Sequence, residues 1–456
     1  MRKRRFLVNA AVMTASTVLL RLAGLWFRSV ISARIGASGM GLYQLIFSVF
    51  ALGITACTSG IGLAMTRLVA EGRGTRGCIL RCMGLGLAMS LLSAGILFFA
   101  SDFIADRFMG SAAAARPLRI LAPGLPFIAV CACLKGYFFA VRNTVVPVCG
   151  EIWEQAVTIG VSLALLGRPG LPPLEALMIG STVGEIAAFC YIVPVFRMAA
   201  KRRGLPRGGG RGATRLILHI AAPMLLGSFV RSSLSSAENI LIPIGLRRYG
   251  AGSVDSLAQY GVMQGMAMPI LFFPLSFVSS LAMLLIPEIA EENAERHQEA
   301  IRRFTERAFR FTLTFAFLVA AVFIAFAEEL GMLFFGSAQA GNILRIMAPI
   351  APLMYLDNVV DNMLKGLDQQ MYSLRYNFSD SVMRVALIAV FVPLFGIQAY
   401  IVILFASEIY NASLSINRLL KVTSPRVDVL GWVVLPAVSG ALLYYALMLV
   451  RRLLLR

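Results

Sequence analysis

Long apolar stretches recur along the chain, each closed by a short polar or basic connection. They run for twenty residues or more without period-two alternation, so the pattern predicts helices and not strands. Segments at 7–33, 41–66, 79–101, 118–141, 144–167 and 174–198 each reach the roughly 20 residues that cross a hydrocarbon core. A glycine- and arginine-rich linker, KRRGLPRGGGRGATR at 201–215, follows. A second set lies at 216–246, 257–287, 304–327, 343–366, 374–395 and 397–419, and a last segment at 428–450. The fold class is therefore all-α, a polytopic membrane protein.

The two sets echo each other. LRILAPGLP at 118–126 returns as LRIMAPIAP at 344–352, an offset of 226, and LKG follows both, at 134–136 and 364–366. Arg231 and Glu238 sit seven apart in the seventh span, as Arg21 and Arg28 do in the first. The chain is thus expected to form an N-terminal six-helix bundle (1–200), a basic cytoplasmic linker (201–215), a C-terminal six-helix bundle (216–422) and an additional transmembrane segment (423–456). Six is even, so the two pseudo-symmetric bundles share one orientation. Parallel repeats of this kind belong to transporters, with the substrate site expected between the halves near the midplane.

Composition removes other classes. With 58% hydrophobic and 14% charged residues, no soluble domain of this size fits. In a soluble chain the net charge of +19 would point to nucleic acid. Here the basic residues cluster between spans, which reads as topology and contact with anionic headgroups. The opening MRKRR mimics a signal peptide. Its apolar stretch is too long and is interrupted by Arg21, so an uncleaved first span with a cytoplasmic N-terminus is expected. A thirteenth span then leaves Arg451, Arg452 and Arg456 on the outer side, against the positive-inside rule. The cysteines lie in or beside spans without metal spacing, and are expected as buried small residues. The stretch 288–310, with Glu292–Arg296, Glu299–Arg303 and Glu306–Arg310 at i,i+4, predicts a solvated helical extension. No metal site or catalytic constellation stands out.

Charges inside spans carry the candidate chemistry. An arginine at the centre of a spanning helix costs ~2.5–3.5 kcal/mol, so it faces protein or a wet cavity. Seven residues return a helix to nearly the same direction, so Arg21 and Arg28 share a face. Two readings stand: each pairs with a carboxylate of another span, or together they line an anion-binding cavity. A guanidinium suits phosphate because it forks two donors onto two oxygens and stays charged. Arg231, Gln44 and Ser48 are further cavity candidates. Asp357 and Asp361 lie on one stripe with Lys365 and are candidates, with Glu238, for a coupling Na⁺ or H⁺. An intrahelical Asp361–Lys365 pair is the structural alternative. Glu151, Glu154, Glu185, Asp380, Arg384, Glu408 and Asn411 are expected mostly as structural partners.

The stretches ARIGASGMGLYQLIFSVFAL (33–52), TSGIGLAMTRLVAEG (58–72), LKGLDQQMYSLRYNFSDSVMRVALIAVFVPLFGIQAY (364–400) and SEIYNASLSINRLLKV (407–422) resemble the stage V sporulation protein B family. That family lies in the multidrug/oligosaccharidyl-lipid/polysaccharide exporter (MOP) superfamily, beside lipid II flippases and MATE antiporters. The resemblance implies a MATE/MOP-like fold and a flippase, not an enzyme. It implies an undecaprenyl-pyrophosphate-linked saccharide, plausibly a peptidoglycan precursor, as the substrate, and the plasma membrane of a spore-forming bacterium as its place. It also implies that Arg21 and Arg28 line a central cavity. Membrane lipids and the cell-wall synthesis machinery are the other expected partners. No cofactor is expected beyond the coupling ion. The rival from the same superfamily is a cation-coupled multidrug antiporter. A membrane glycosyltransferase would need a large catalytic outer loop, and no connection is long enough to hold one.

Overall fold

The computed structural model describes residues 2–204 and 212–454, with side chains from Ser16 onward apart from those of 203, 213, 284, 287 and 454. Most of the predicted linker lies outside those residues. The described part is helical. The helices that carry the fold are α1 (Arg2–Thr58), α2 (Ile61–Ala70), α3 (Arg76–Phe99), α4 (Gly124–Ala140), α5 (Val145–Leu166), α6 (Pro173–Arg203) and α7 (Ala213–Tyr249) in the first part of the chain. After them come α8 (Met268–Ala294), α9 (Gln298–Ala325), α10 (Ala351–Gly366), α11 (Gln370–Thr423) and α12 (Leu435–Leu454).

Two of these are too long to be single spans. At 57 and 54 residues, α1 and α11 would each exceed about 80 Å if straight, well over twice a hydrocarbon core. Each is broken by a glycine with left-handed φ: Gly36 (φ 67) and Gly396 (φ 67). Among the described residues, ten helices are long and apolar enough to cross a membrane, eleven if the bent pair Ala112–Leu121 and Gly124–Ala140 is one span. Dividing α1 and α11 at their glycines raises this to thirteen, the number predicted from hydropathy. The chain is a multi-pass membrane protein.

The internal repeat is written into the backbone. Left-handed residues recur 226 positions apart: Gly110 with Gly336, Arg142 with Asp368, and Gly170 with Gly396. The repeated LRI-x-AP motif breaks a helix in both halves. In the first it makes the 44° bend before α4, and in the second a 3-10 turn, Ala348–Ile350, before α10. Pro123 and Pro349 lack the N–H that would continue the ladder there.

The compact units cut across the contiguous halves expected from sequence. Unit 1 comprises Met1–Ser16 and Leu42–Ile244, and unit 2 comprises Thr17–Gly41 and Gly245–Arg456. The seventh span thus belongs with the first unit, and much of the first span with the second. Local contacts explain both memberships. In unit 1, Thr55 Oγ1 donates to Ser232 Oγ (3.2 Å), Ser236 Oγ to the Ser48 carbonyl (2.8 Å) and Asn239 Nδ2 to Ser48 Oγ (3.2 Å). This polar ladder ties the second span to α7, where the apolar solvent supplies no hydrophobic drive for helix association. In unit 2 the backbones touch: a Cβ on Gly41 would lie 2.0 Å from the Leu257 carbonyl oxygen, and one on Gly261 2.1 Å from that of Ala37.

Each unit has its own core. In unit 1, Met65, Leu68, Cys82, Cys133, Tyr137 and Phe138 are buried where α2, α3 and α4 meet. Five cysteines are buried as expected, whereas Cys149 and Cys190 are exposed. In unit 2, α12 packs on α9, with Trp432 against Phe309 (ring centroids 5.0 Å apart). Arg451 lies 2.6 Å from Glu329 and is neutralised there. The expected extension at 288–310 is not one helix. Arg296 takes φ 58, His297 Nδ1 meets Glu292 (2.9 Å), and Glu306 pairs with Arg302 (3.3 Å).

Replacing Gly261 by valine forces the Cβ into the Ala37 carbonyl and should cost about 1–3 kcal/mol as overpacking. Gly84→Ala, with nothing within 4 Å of its Cβ, should cost nothing. Thermal unfolding of both variants in detergent checks this; equal midpoints would remove the close backbone approach.

Candidate functional site

Unit 2 gathers polar side chains from three neighbouring segments at helical spacing. Asp357 and Asp361 lie four apart on α10. Ser373, Asn377, Asp380 and Arg384 lie on α11 before Gly396, and Ser407, Asn411 and Ser415 four apart after it. Asp361 accepts from Ser373 Oγ (2.6 Å) and Asn377 Nδ2 (3.1 Å). Asp357 Oδ2 accepts from Asn411 Nδ2 (2.9 Å), which also donates to Asn377 Oδ1 (3.3 Å). Asp380 takes the Arg384 guanidinium (2.5 Å) and the Ser407 hydroxyl. Lys365 turns instead to Asn362 Oδ1 (3.4 Å), so Asp361 has no intrahelical lysine partner.

Charge in this cluster is unbalanced. Glu408 lies within electrostatic reach of Asp357, Asp361, Asp380 and Arg384, giving four carboxylates against one guanidinium. Asp357 is 8% exposed, yet its Oδ1 accepts no hydrogen bond, and neither does Asn411 Oδ1. Carboxylates at bilayer depth are costly unless they bind a proton or a cation. Oxygen-only donors of carboxylate and amide type suit a hard cation.

Unit 1 repeats the arrangement with a different charge. At the offset of 226, Asp357, Asp361, Asn377, Asp380 and Asn411 correspond to Cys131, Lys135, Glu151, Glu154 and Glu185. Lys135 Nζ lies 3.2 Å from Glu151 Oε1 and 3.9 Å from Glu154 Oε2. The pair 135/151 thus recurs as 361/377 with donor and acceptor exchanged. The first unit carries its own tethered ammonium, and the second has a carboxylate in that place.

The remaining candidates divide between the units. Arg21 is exposed and makes no ion pair with a described residue. Arg28 is half-buried and engaged by a polar or charged neighbour. Both belong to unit 2. Arg231, on α7 in unit 1, is exposed, with no ion pair to Glu238, about 10 Å further along the axis. Glu238 and Gln44 are half-buried and engaged, and Ser48 is used in the ladder to α7. Asp357 and Asp361 are brought together in unit 2, and Glu238 belongs to unit 1. Sequence reasoning missed Ser373, Asn377 and Ser407, uncharged residues that hold the carboxylates. Extending the 226 register beyond the proline motif would have exposed Asn377 as the counterpart of Glu151.

The family described as polysaccharide biosynthesis protein matches residues 6–292, and that described as MatE matches residues 224–390. Stage V sporulation protein B of Bacillus subtilis (strain 168) is 26% identical over 385 residues, 81% of this chain and 74% of the relative. Sporulation protein YkvU of the same strain is 21% identical over 70% of this chain and 73% of its own length. The structure of lipid II flippase MurJ in an inward closed conformation matches with a TM-score of 0.72 at 14% identity, covering 98% of this chain and 100% of that one. An inward-facing multidrug resistance MATE family transporter of the MOP superfamily matches with a TM-score of 0.69 at 17% identity, covering 90% and 94%. The fold is that of MOP superfamily transporters, as the sequence resemblance implied.

Removing the Asp380 carboxylate takes from Arg384 its 2.5 Å ion pair and from Ser407 its acceptor. Asp380→Ala should destabilise unit 2 by about 3–5 kcal/mol. Adding Arg384→Met to it should recover most of that loss. Unfolding midpoints of the single and double variants check this; no recovery in the double variant would show that the pair is not the cause.

Proposed function

The chain belongs to the polysaccharide biosynthesis protein family, and on that premise we propose that it is a flippase for an undecaprenyl-pyrophosphate-linked saccharide. It works in the plasma membrane, with its N-terminus in the cytoplasm, as a transporter and not an enzyme. The observation that carries the reading is Arg21, an exposed guanidinium in a spanning helix without a carboxylate partner among the described residues. Such a group at bilayer depth needs water or an anion beside it. A pyrophosphate supplies the anion, taken bidentately, while the polyprenyl chain stays in lipid. Arg28, seven residues further along the same helix and on the same face, extends the positive potential, and access to it alternates between the two sides of the membrane.

Coupling falls to the carboxylate cluster of unit 2. A Na⁺ or H⁺ taken by Asp357 and Asp361 offsets the excess negative charge, which Lys135 offsets permanently in unit 1. Ion binding then biases one conformation of the transporter by its differential affinity for the two.

The second reading is a cation-coupled multidrug antiporter. The MatE match over 224–390 and the carboxylate cluster favour it. The unpaired Arg21 opposes it, because a cationic wall repels cationic drugs.

Arg21→Ala should abolish complementation of a flippase-depleted strain at unchanged membrane abundance, whereas Arg21→Lys should retain partial activity. Full complementation by the alanine variant would remove the arginine from the mechanism. Asp357→Asn should abolish the dependence of transport on a Na⁺ or H⁺ gradient. A gradient dependence unchanged in that variant would place the coupling site elsewhere.

A further inference from the structure

Unit 1 contains a cavity of about 640 Å³ between the start of α3, α4 and the end of α6. Its floor is apolar, formed by Met83, Leu134 and Phe196, and three cations, Arg76, Arg197 and Lys201, stand at its rim. All three are exposed, and none makes an ion pair with a described residue. Acid is available at the same end of the unit, but Glu71 is occupied by Arg67 (2.8 Å) and Arg73 (3.8 Å). The rim therefore keeps about three positive charges over an oily hollow.

The surface beside the cavity is also oily. Leu80, a lining residue, is 58% exposed, and Leu87 (40%) and Leu91 (56%) continue its stripe along α3 at i+7 and i+11. On a helix of a multi-pass protein, that stripe meets acyl chains. Cations at one end, an apolar floor and a lipid-facing stripe leading away match an amphiphile with an anionic head. The cavity lies at the end of the unit where the connections are most basic, which the positive-inside rule assigns to the cytoplasmic leaflet. Anionic phospholipids are concentrated there, and basic pockets between helices on that side hold their headgroups.

We propose that this cavity is a binding site for an anionic phospholipid. Its phosphodiester sits among Arg76, Arg197 and Lys201, its glycerol enters the hollow over Met83 and Phe196, and one acyl chain lies along Leu80, Leu87 and Leu91. The site does not depend on what the protein transports.

Native mass spectrometry of the full chain, titrated with phosphatidylglycerol or phosphatidylcholine in detergent, tests it. One phosphatidylglycerol should bind at least tenfold more tightly than phosphatidylcholine. The triple variant Arg76→Gln, Arg197→Gln, Lys201→Gln should lose that preference. Met83→Trp, which fills the hollow without touching a charge, should weaken phosphatidylglycerol binding as well. A control with Arg302→Gln and Arg303→Gln should bind as the unsubstituted protein does. Thermal unfolding of each variant separates lost binding from lost fold. Inorganic phosphate at millimolar concentration should not displace the lipid, since it gains nothing from the apolar floor. Equal affinity for the two lipids, preference retained in the triple variant, or displacement by phosphate would each overturn the assignment. So would stoichiometric displacement of phosphatidylglycerol by undecaprenyl pyrophosphate, which would make the cavity a loading site for a diphosphate lipid.

Discussion

An ionised side chain at bilayer depth has no water to solvate it, so each one must be matched by a counter-charge, a proton or a bound ion. That constraint organises both units of this protein. In unit 1 the match is covalent to the chain: Lys135 stands within 4 Å of Glu151 and Glu154. In unit 2 the equivalent position is Asp361, and among the described residues around Glu408 one guanidinium, Arg384, faces four carboxylates. Two halves built on one pattern thus differ in charge, balanced by a lysine in one and left with excess carboxylate in the other. Under the proposed coupling, an ion that comes and goes at the excess carboxylates stabilises one state at a time.

The same constraint gives meaning to the arginines of the first span. A guanidinium cannot discharge by losing its proton, so Arg21 requires an anion or water where the span meets its surroundings. In an exporter of cationic drugs such a residue works against the substrate. In a carrier of lipid-linked pyrophosphates it recognises the one part of the substrate that does not belong in oil. Family membership through residues 6–292 stands on the same side as this electrostatic argument, whereas the fold is shared by lipid II flippase MurJ and by a MATE transporter alike.

Much of the architecture was legible in the sequence because membrane spans must satisfy their backbone internally and be apolar for about 20 residues. The thirteen segments, the turns at Gly36 and Gly396, and the repeat at 226 follow from hydropathy and from one proline motif. The left-handed pairs at Gly110/Gly336 and Gly170/Gly396 show that the repeat reaches the backbone. The sorting of helices into units was not legible. It depends on which hydroxyls of the second span meet Ser232, Ser236 and Asn239, and on bare backbone contact at Gly41 and Gly261. Neither leaves a trace in hydropathy. At the site, the charged residues were found because charge is rare in spans. Ser373, Asn377 and Ser407 were passed over because neutral polar residues are common there. Of the i,i+4 ion pairs expected beyond α8, Glu292–Arg296 fails because Arg296 leaves the helix, Arg303 reaches the Glu299 backbone carbonyl and not its carboxylate, and Glu306 pairs with Arg302.

The account stands on an anionic lipid-linked substrate moved by a cation gradient. The most direct measurement is translocation of a fluorescent undecaprenyl-pyrophosphate-linked saccharide in proteoliposomes carrying the purified chain and an imposed Na⁺ or H⁺ gradient. The account predicts flipping that follows one of the two gradients and vanishes when that gradient is collapsed. Accumulation of a cationic dye under the same gradients, with the lipid-linked saccharide left unmoved, would contradict it.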